Sequence, residues 1–234
     1  RDWSSDVCSS DLTSENENRQ VVDCGTGGLF VYQPYLRDGD LRIGFTMLDT
    51  ALQVKQEGGV SFGNDKSLQM VRHSGDRVWF LTRQIDRSID FSLYGIYTDS
   101  AIYTYTRFVN AIPLQPLFFE VSGSGAVVAG YLNARPVALF CNLRTGESKL
   151  LPGFFNLPGE INQVIPRPDG GFDILLALKN SGYRKSMYVN KYSAEGALTK
   201  TVIVGSGKER SLMFARMVPA GKDSILIAGI YGNR

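Results

Sequence analysis

The chain has 234 residues, 43% of them hydrophobic and 21% charged, a composition that can bury a core and does not point to disorder. Its 25 Lys and Arg against 23 Asp and Glu leave a formal charge of +2, far from the concentrated positive field that a phosphate backbone rewards, so nucleic acid is not an expected partner. No apolar run approaches the roughly 20 residues of a membrane-crossing helix, so no membrane span is expected, and strands would cross only as a closed barrel.

The first segment, Asp2-Trp3-Ser4-Ser5-Asp6-Val7-Cys8-Ser9-Ser10-Asp11-Leu12, has neither apolar periodicity nor the charged-then-apolar order of a signal peptide. It resembles the translated frame of a sequencing-library adapter. Residues 1–12 are therefore expected to be a non-native or disordered tail, with the native N-terminus and any signal peptide missing. Residues 13–28 read as a linker that ends in the glycine-rich Gly25-Thr26-Gly27-Gly28. With Cys8 set aside, Cys24 and Cys141 indicate no disulfide framework and fix neither compartment nor metal site.

From residue 29 to 234 the pattern is that of a single repetitive domain in period 2. Leu41, Ile43, Phe45 and Met47 alternate with Arg42, Gly44 and Thr46, and Phe172, Ile174, Leu176 and Leu178 do the same later. Helical spacing is cut everywhere by Gly or Pro, so almost no helix is expected. An anchor recurs, consisting of a tight turn before an apolar strand: Arg37-Asp38-Gly39-Asp40, Ser74-Gly75-Asp76-Arg77, Ser122-Gly123-Ser124-Gly125, Pro168-Asp169-Gly170-Gly171 and Ala220-Gly221-Lys222-Asp223. Its glycines (39, 75, 125, 170 and 221) lie 36, 50, 45 and 51 positions apart. Those gaps average about 46, near the roughly 40 to 50 residues of one four-stranded propeller blade.

The fourth unit shows the internal order, with strands expected at 161–165, 172–178, 187–192 and 198–204. The third matches it at 117–121, 126–131, 137–142 and 149–151. Strands after the anchors tend to unbroken apolar runs, as in Ala126-Val127-Val128-Ala129 and Ile225-Leu226-Ile227-Ala228, which fits a strand buried on both faces. The expected fold is all-β: a β-propeller fragment of about four to five four-stranded antiparallel blades, an incomplete ring that stops inside its fifth unit. A β-sandwich is the alternative, but it leaves the recurring anchor unexplained.

The Asp169-Gly170-Gly171 turn with Phe172–Leu178, followed by residues 188–196 (YVNKYSAEG), resembles the blades of bacterial repeat propellers. The unit Asn142-Leu143-Arg144-Thr145-Gly146-Glu147 is similar to the outer hairpin of WD40-like and quinoprotein-like blades, although no blade carries a Trp-Asp dipeptide. The resemblance implies a bacterial protein of the periplasm, cell surface or exterior.

Chemistry-bearing motifs are sparse. His73 is the only histidine, so neither a Ser-His-Asp site nor a histidine metal site is expected, and His73 reads as a polar strand end. Gly207-Lys208 and Gly221-Lys222 lack the upstream glycine and following Ser or Thr of a phosphate loop. The pairs Asp86 with Asp90 and Asp38 with Asp40 lie in or near turns and read as solvated residues. No catalytic residue, metal ligand or cofactor is assigned. Two clusters remain as binding candidates. One is Tyr103, Tyr105 and Arg107, near Tyr94 and Tyr97, where alternate spacing puts both candidate tyrosines on one strand face, for packing or for recognition. The other is Tyr183, Arg184 and Lys185, in the loop between the second and third strands of the fourth unit. The expected function is a non-catalytic binding or scaffold module that recognises a protein or glycan through blade loops. The alternative is a fragment of a glycoside-processing or quinone-dependent propeller enzyme.

Overall fold

The computed structural model describes residues 18–85, 89–100, 102–108, 112–154, 158–179, 185–204, 210–221 and 224–233. These form four four-stranded antiparallel sheets and a two-stranded hairpin, with the strands of each sheet in chain order. Sheet 1 holds β1 (Gln20–Asp23), β2 (Leu29–Arg37), β3 (Asp40–Leu48) and β4 (Val54–Asn64). Sheet 2 holds β5 (Lys66–Ser74), β6 (Arg77–Gln84), β7 (Phe91–Tyr97) and β8 (Tyr103–Phe108). Sheet 3 holds β9 (Gln115–Ser122), β10 (Gly125–Leu132), β11 (Arg135–Asn142) and β12 (Ser148–Leu150). Sheet 4 holds β13 (Gly159–Pro166), β14 (Phe172–Lys179), β15 (Lys185–Tyr192) and β16 (Leu198–Val204), and the hairpin pairs β17 (Arg210–Pro219) with β18 (Ile225–Asn233). The fold is all-β, and the strand ranges expected in the third and fourth units coincide with β9–β16 to within two residues at each end. Among the described residues no helix is long and apolar enough to cross a membrane.

Successive sheets pack face to face, and alternation along one strand serves two neighbours at once. On β6, Val78 and Phe80 face sheet 1 while Trp79 and Leu81 face sheet 3. On β14, Ile174 and Leu176 join Val127 and Phe140 of sheet 3, while Leu175 and Ala177 join Ala215 and Met217 of the hairpin. This is why the middle strands read as unbroken apolar runs. The first strands touch in sequence, β1 with β5, β5 with β9, β9 with β13 and β13 with β17, so the sheets fan from a common inner edge in an arc that does not close.

The anchor turn has a physical origin. Ser74, at the end of β5, donates its hydroxyl to the Val121 carbonyl at 2.8 Å, and Ser122, at the end of β9, donates to the Arg167 carbonyl at 2.8 Å. Each anchor serine thus ties its sheet to the next one. In sheet 4 an arginine network takes over: Arg167 pairs with Asp169 at 3.0 Å and Asp173 at 3.2 Å and donates to the Tyr192 carbonyl at 3.0 Å. The turns call for glycine because Gly123 and Gly170 adopt φ of +56° and +87°, which L side chains rarely take.

One expected equivalence is corrected. In sheets 2, 3, 4 and the hairpin the anchor joins first and second strands, but Arg37–Asp40 joins β2 to β3, at the opposite end of its sheet. The true counterpart in sheet 1 is the turn at Cys24–Gly28, which contains a 3-10 turn at Gly25–Gly27. Gly27 lies 48 positions before Gly75, so this assignment removes the short gap of 36. Gln20–Asp23, inside the segment read as a linker, pair with β2 as the inner strand of sheet 1. Cys24 and Cys141 are free and buried, and burial pushes their thiols up to about 11 and about 12.

Candidate functional site

Strand register gathers one polar and aromatic cluster on one face of sheet 2, running from Lys66 at the end away from the anchor turn to Tyr103 near it. Lys66 at the start of β5 lies opposite Gln84 on β6, Arg83 lies opposite Phe91 on β7, and Ser92 lies opposite Arg107 on β8. Tyr94 faces Tyr105 directly, and Ile96 faces Tyr103. Period 2 therefore places Ser92, Tyr94, Tyr103, Tyr105 and Arg107 on the face turned toward sheet 1. Sheet 1 joins the cluster because β4 passes through Asp65 straight into β5. Phe62 of β4 stacks on Tyr94 with centroids 4.0 Å apart.

Lys66 organises the centre. Its ammonium donates to the Tyr94 hydroxyl and, at 3.4 Å, to Ser92 Oγ, and it sits 4.9 Å from the Tyr94 ring centroid and 5.2 Å from that of Tyr105. Tyr94 in turn donates to the Phe62 carbonyl at 2.6 Å. Burial, and then the nearby Arg107 charge, pull the Lys66 pKa below its ordinary value, while burial raises that of Tyr94. Arg107 pairs with Asp90 at 2.7 Å, and this bond holds the guanidinium charged. Nearby, Asp40 accepts from Ser61 Oγ at 2.8 Å, the Gly63 amide at 2.9 Å and Arg42 Nε at 2.9 Å. These bonds, the Ser61 hydroxyl foremost, hold the Asp40 carboxyl below its usual range.

Inside the cluster every charge is either paired or solvated by a ring or hydroxyl. Tyr103 and Tyr105 are the groups left open, 50% and 49% exposed. Tyr105 lies 5.0 Å from Tyr94, centroid to centroid. The site offers ring faces and hydrogen-bond donors held in fixed positions.

The structure brings Tyr103, Tyr105 and Arg107 together. Tyr183, Arg184 and the Lys185 side chain lie outside the described residues, although the 180–184 connection joins β14 to β15 as 85–90 joins β6 to β7. Asp90 and Asp40, read as solvated turn residues, are instead an ion-pair partner and a hydrogen-bonding hub. Lys66 and Ser92 were not singled out in the sequence. Ser92 was within reach, since a β7–β8 hairpin pairing puts it on the tyrosine face. Lys66 was not, because its place depends on a side chain reaching from β5 over β6 to β7.

A second polar group lies at the inner edge. Arg72 of β5 pairs with Glu120 of β9 at 3.1 Å, and burial raises the Glu120 pKa. The neighbouring cavity between β1 and β5 encloses about 720 Å³ and is lined by Asp23, Tyr32, Arg72 and His73 among others. His73 sits near the end of β5, as expected. Among the described residues no group of three His, Cys, Asp or Glu side chains is placed to hold a metal ion.

No protein-family model and no curated protein matches the chain. Solved structures do. A single-substitution mutant of the Synechocystis apocarotenoid oxygenase superposes with a TM-score of 0.53 and 6% identity, covering 92% of this chain and 56% of that one. The cobalt-substituted form of that oxygenase gives 0.53 and 7%, with the same coverage, and a chimera of it with RPE65 gives 0.50 and 7%. The chain thus spans about half the length of these structures. At such identity the likeness is one of fold: repeated four-stranded sheets arranged as part of a β-propeller.

Proposed function

We propose that this propeller arc is a non-catalytic binding module that recognises a glycan or a protein surface through the face and outer strand of sheet 2 carrying Tyr103, Tyr105, Lys66 and Arg107. The observation that carries the reading is the pair of half-exposed tyrosines on the outermost strand, with Tyr105 packed 5.0 Å from Tyr94 and 5.2 Å from the Lys66 ammonium. Rigid aromatic faces beside fixed cations make contact surfaces at low entropic cost, and tyrosine and arginine dominate such surfaces. Within propellers, the blade type fits the bacterial repeat class, on the 169–171 turn and the 142–147 hairpin.

The test is a glycan array followed by calorimetric titration of its best ligand. Tyr105→Ala is expected to weaken that ligand by about tenfold, the scale of one aromatic contact. Full affinity in Tyr105→Ala and Tyr103→Ala alike would remove this surface from recognition.

The second reading, a propeller-enzyme fragment, draws on the Arg72–Glu120 pair beside the inner cavity. Burial raises the Glu120 pKa above its ordinary value, and a carboxyl shifted in that direction is better suited than a free one to donating a proton to a leaving group. Hydrolysis of glycans by the wild type that is lost in Glu120→Gln, with folding intact, would favour it.

A further inference from the structure

Sheets 2 and 3 part at the anchor-turn end and leave a cleft of about 680 Å³ that β8 borders through Thr104, Tyr105 and Thr106. That volume lies within the roughly 300 to 1,000 Å³ of small-ligand sites. One wall is the face of sheet 2 turned to sheet 3. Register pairs Arg77 with Tyr97, Trp79 with Gly95, and Gly95 with Thr104, so these residues share that face. The missing side chain at Gly95 lets the indole lie flat, since a Cβ there would sit 2.9 Å from the Trp79 ring. The opposite wall comes from two turns of sheet 3, which bring Ser124 and Arg144 to the cleft.

Arg77 is the distinctive group. Its guanidinium lies 4.0 Å from the Tyr97 ring centroid and 5.4 Å from that of Trp79, and its side chain is 27% exposed. Aromatic packing on this scale fixes the plane of the fork. A guanidinium carries five N–H donors, and among the described residues only one is hydrogen-bonded, to the Tyr97 hydroxyl. Nε makes no hydrogen bond and meets Asp76 Oδ1 only as an ion pair at 3.3 Å. The Asp76 carboxylate is 66% exposed, and an ion pair to so exposed a partner is weak enough for a ligand to compete with. Arg144 is exposed, and its side chain makes no hydrogen bond or ion pair among the described residues.

A rigid, under-used guanidinium fork facing a second free cation matches a carboxylate, which takes two parallel N–H bonds from arginine. The cleft is larger than a carboxylate alone requires, and the Ser124 hydroxyl that borders it, with the Thr106 hydroxyl that donates to the Leu143 carbonyl at 3.2 Å and can still accept, suits a hydroxylated body. We propose that this cleft binds an acidic saccharide, with a uronic-acid carboxylate on Arg77 and Arg144 as the second cation. The inference stands on its own residues and does not need the tyrosine site to bind anything.

Calorimetric titration of the full chain with trigalacturonate, with a neutral galactose trimer and with inorganic phosphate tests it. Trigalacturonate is expected to bind about tenfold or more tighter than the neutral trimer, and Arg77→Gln and Arg144→Gln are each expected to weaken it by about that factor. Tyr103→Ala, outside the lining of the cleft, should leave it unchanged, which separates this site from the tyrosine surface. Arg144→Gln changes only an exposed turn residue, so it remains informative if Arg77→Gln unfolds the chain. Equal affinity for acidic and neutral trimers, no binding of trigalacturonate, or full affinity in Arg144→Gln would overturn the proposal. Phosphate competing as well as trigalacturonate would overturn the saccharide assignment and leave a general anion site.

Discussion

β14 and β18 carry nearly the same apolar run, Ile174-Leu175-Leu176-Ala177 in one and Ile225-Leu226-Ile227-Ala228 in the other, yet they sit in different surroundings. In β14 both alternations are buried, one against sheet 3 and one against the hairpin. In β18, among the described side chains, only Ile225 and Ile227 pack against sheet 4, and Leu226 and Ile230 are exposed, as are Phe214 and Val218 of β17. The comparison separates two things that a strand sequence encodes together. Alternation and branched side chains make the strand, while the next sheet in the arc decides whether its second face is buried.

The largest expected effect breaks the likeness directly. Leu176→Ala, at a fully buried position, should cost about 2–5 kcal/mol in urea unfolding, whereas Leu226→Ala should stay within about 1 kcal/mol, because its side chain leaves water only in part. Similar losses at the two positions would mean that the hairpin face is covered. A smaller effect probes the ties between sheets. Ser122→Ala should cost about 0.5–1.5 kcal/mol, the worth of its bond to the Arg167 carbonyl, and Ser74→Ala should cost about as much. No loss in either variant would reduce the anchor serines to turn residues.

The smallest effect depends on pH and contrasts Asp40 of sheet 1 with Asp173 of sheet 4. The folded-state pKa of Asp40 is depressed, so its contribution to stability is present above the ordinary carboxylate value and is lost as pH falls through the folded value. Burial raises that of Asp173, so its contribution is present at low pH and is lost as pH rises through the folded value. Asp40→Asn should therefore flatten the acid limb of a stability-against-pH curve, and Asp173→Asn should lessen the loss of stability on the rising side. The same change in slope from both variants would contradict these assignments.

Strand positions in sheets 3 and 4 were legible in the sequence because turn glycines and period 2 agree there residue by residue. Sheet 1 was harder. Gln20-Val21-Val22-Asp23 is too short to show a period, and Arg37–Asp40 imitates the anchor although it lies at the other end of its sheet. The site was half legible: Tyr103 and Tyr105 follow from alternation within one strand. Lys66, Phe62 and the Arg77 cleft depend on register and on contacts between sheets, which no single strand encodes.

Native-state hydrogen exchange read strand by strand tests the arc of stacked sheets most directly, because it reports how firmly each strand is held. Amides of β10 and β14, flanked by strands on both edges and sheets on both faces, are predicted to exchange slowest, with β18 exchanging much faster. Protection in β18 equal to that in β14 would contradict an open arc whose last face is uncovered.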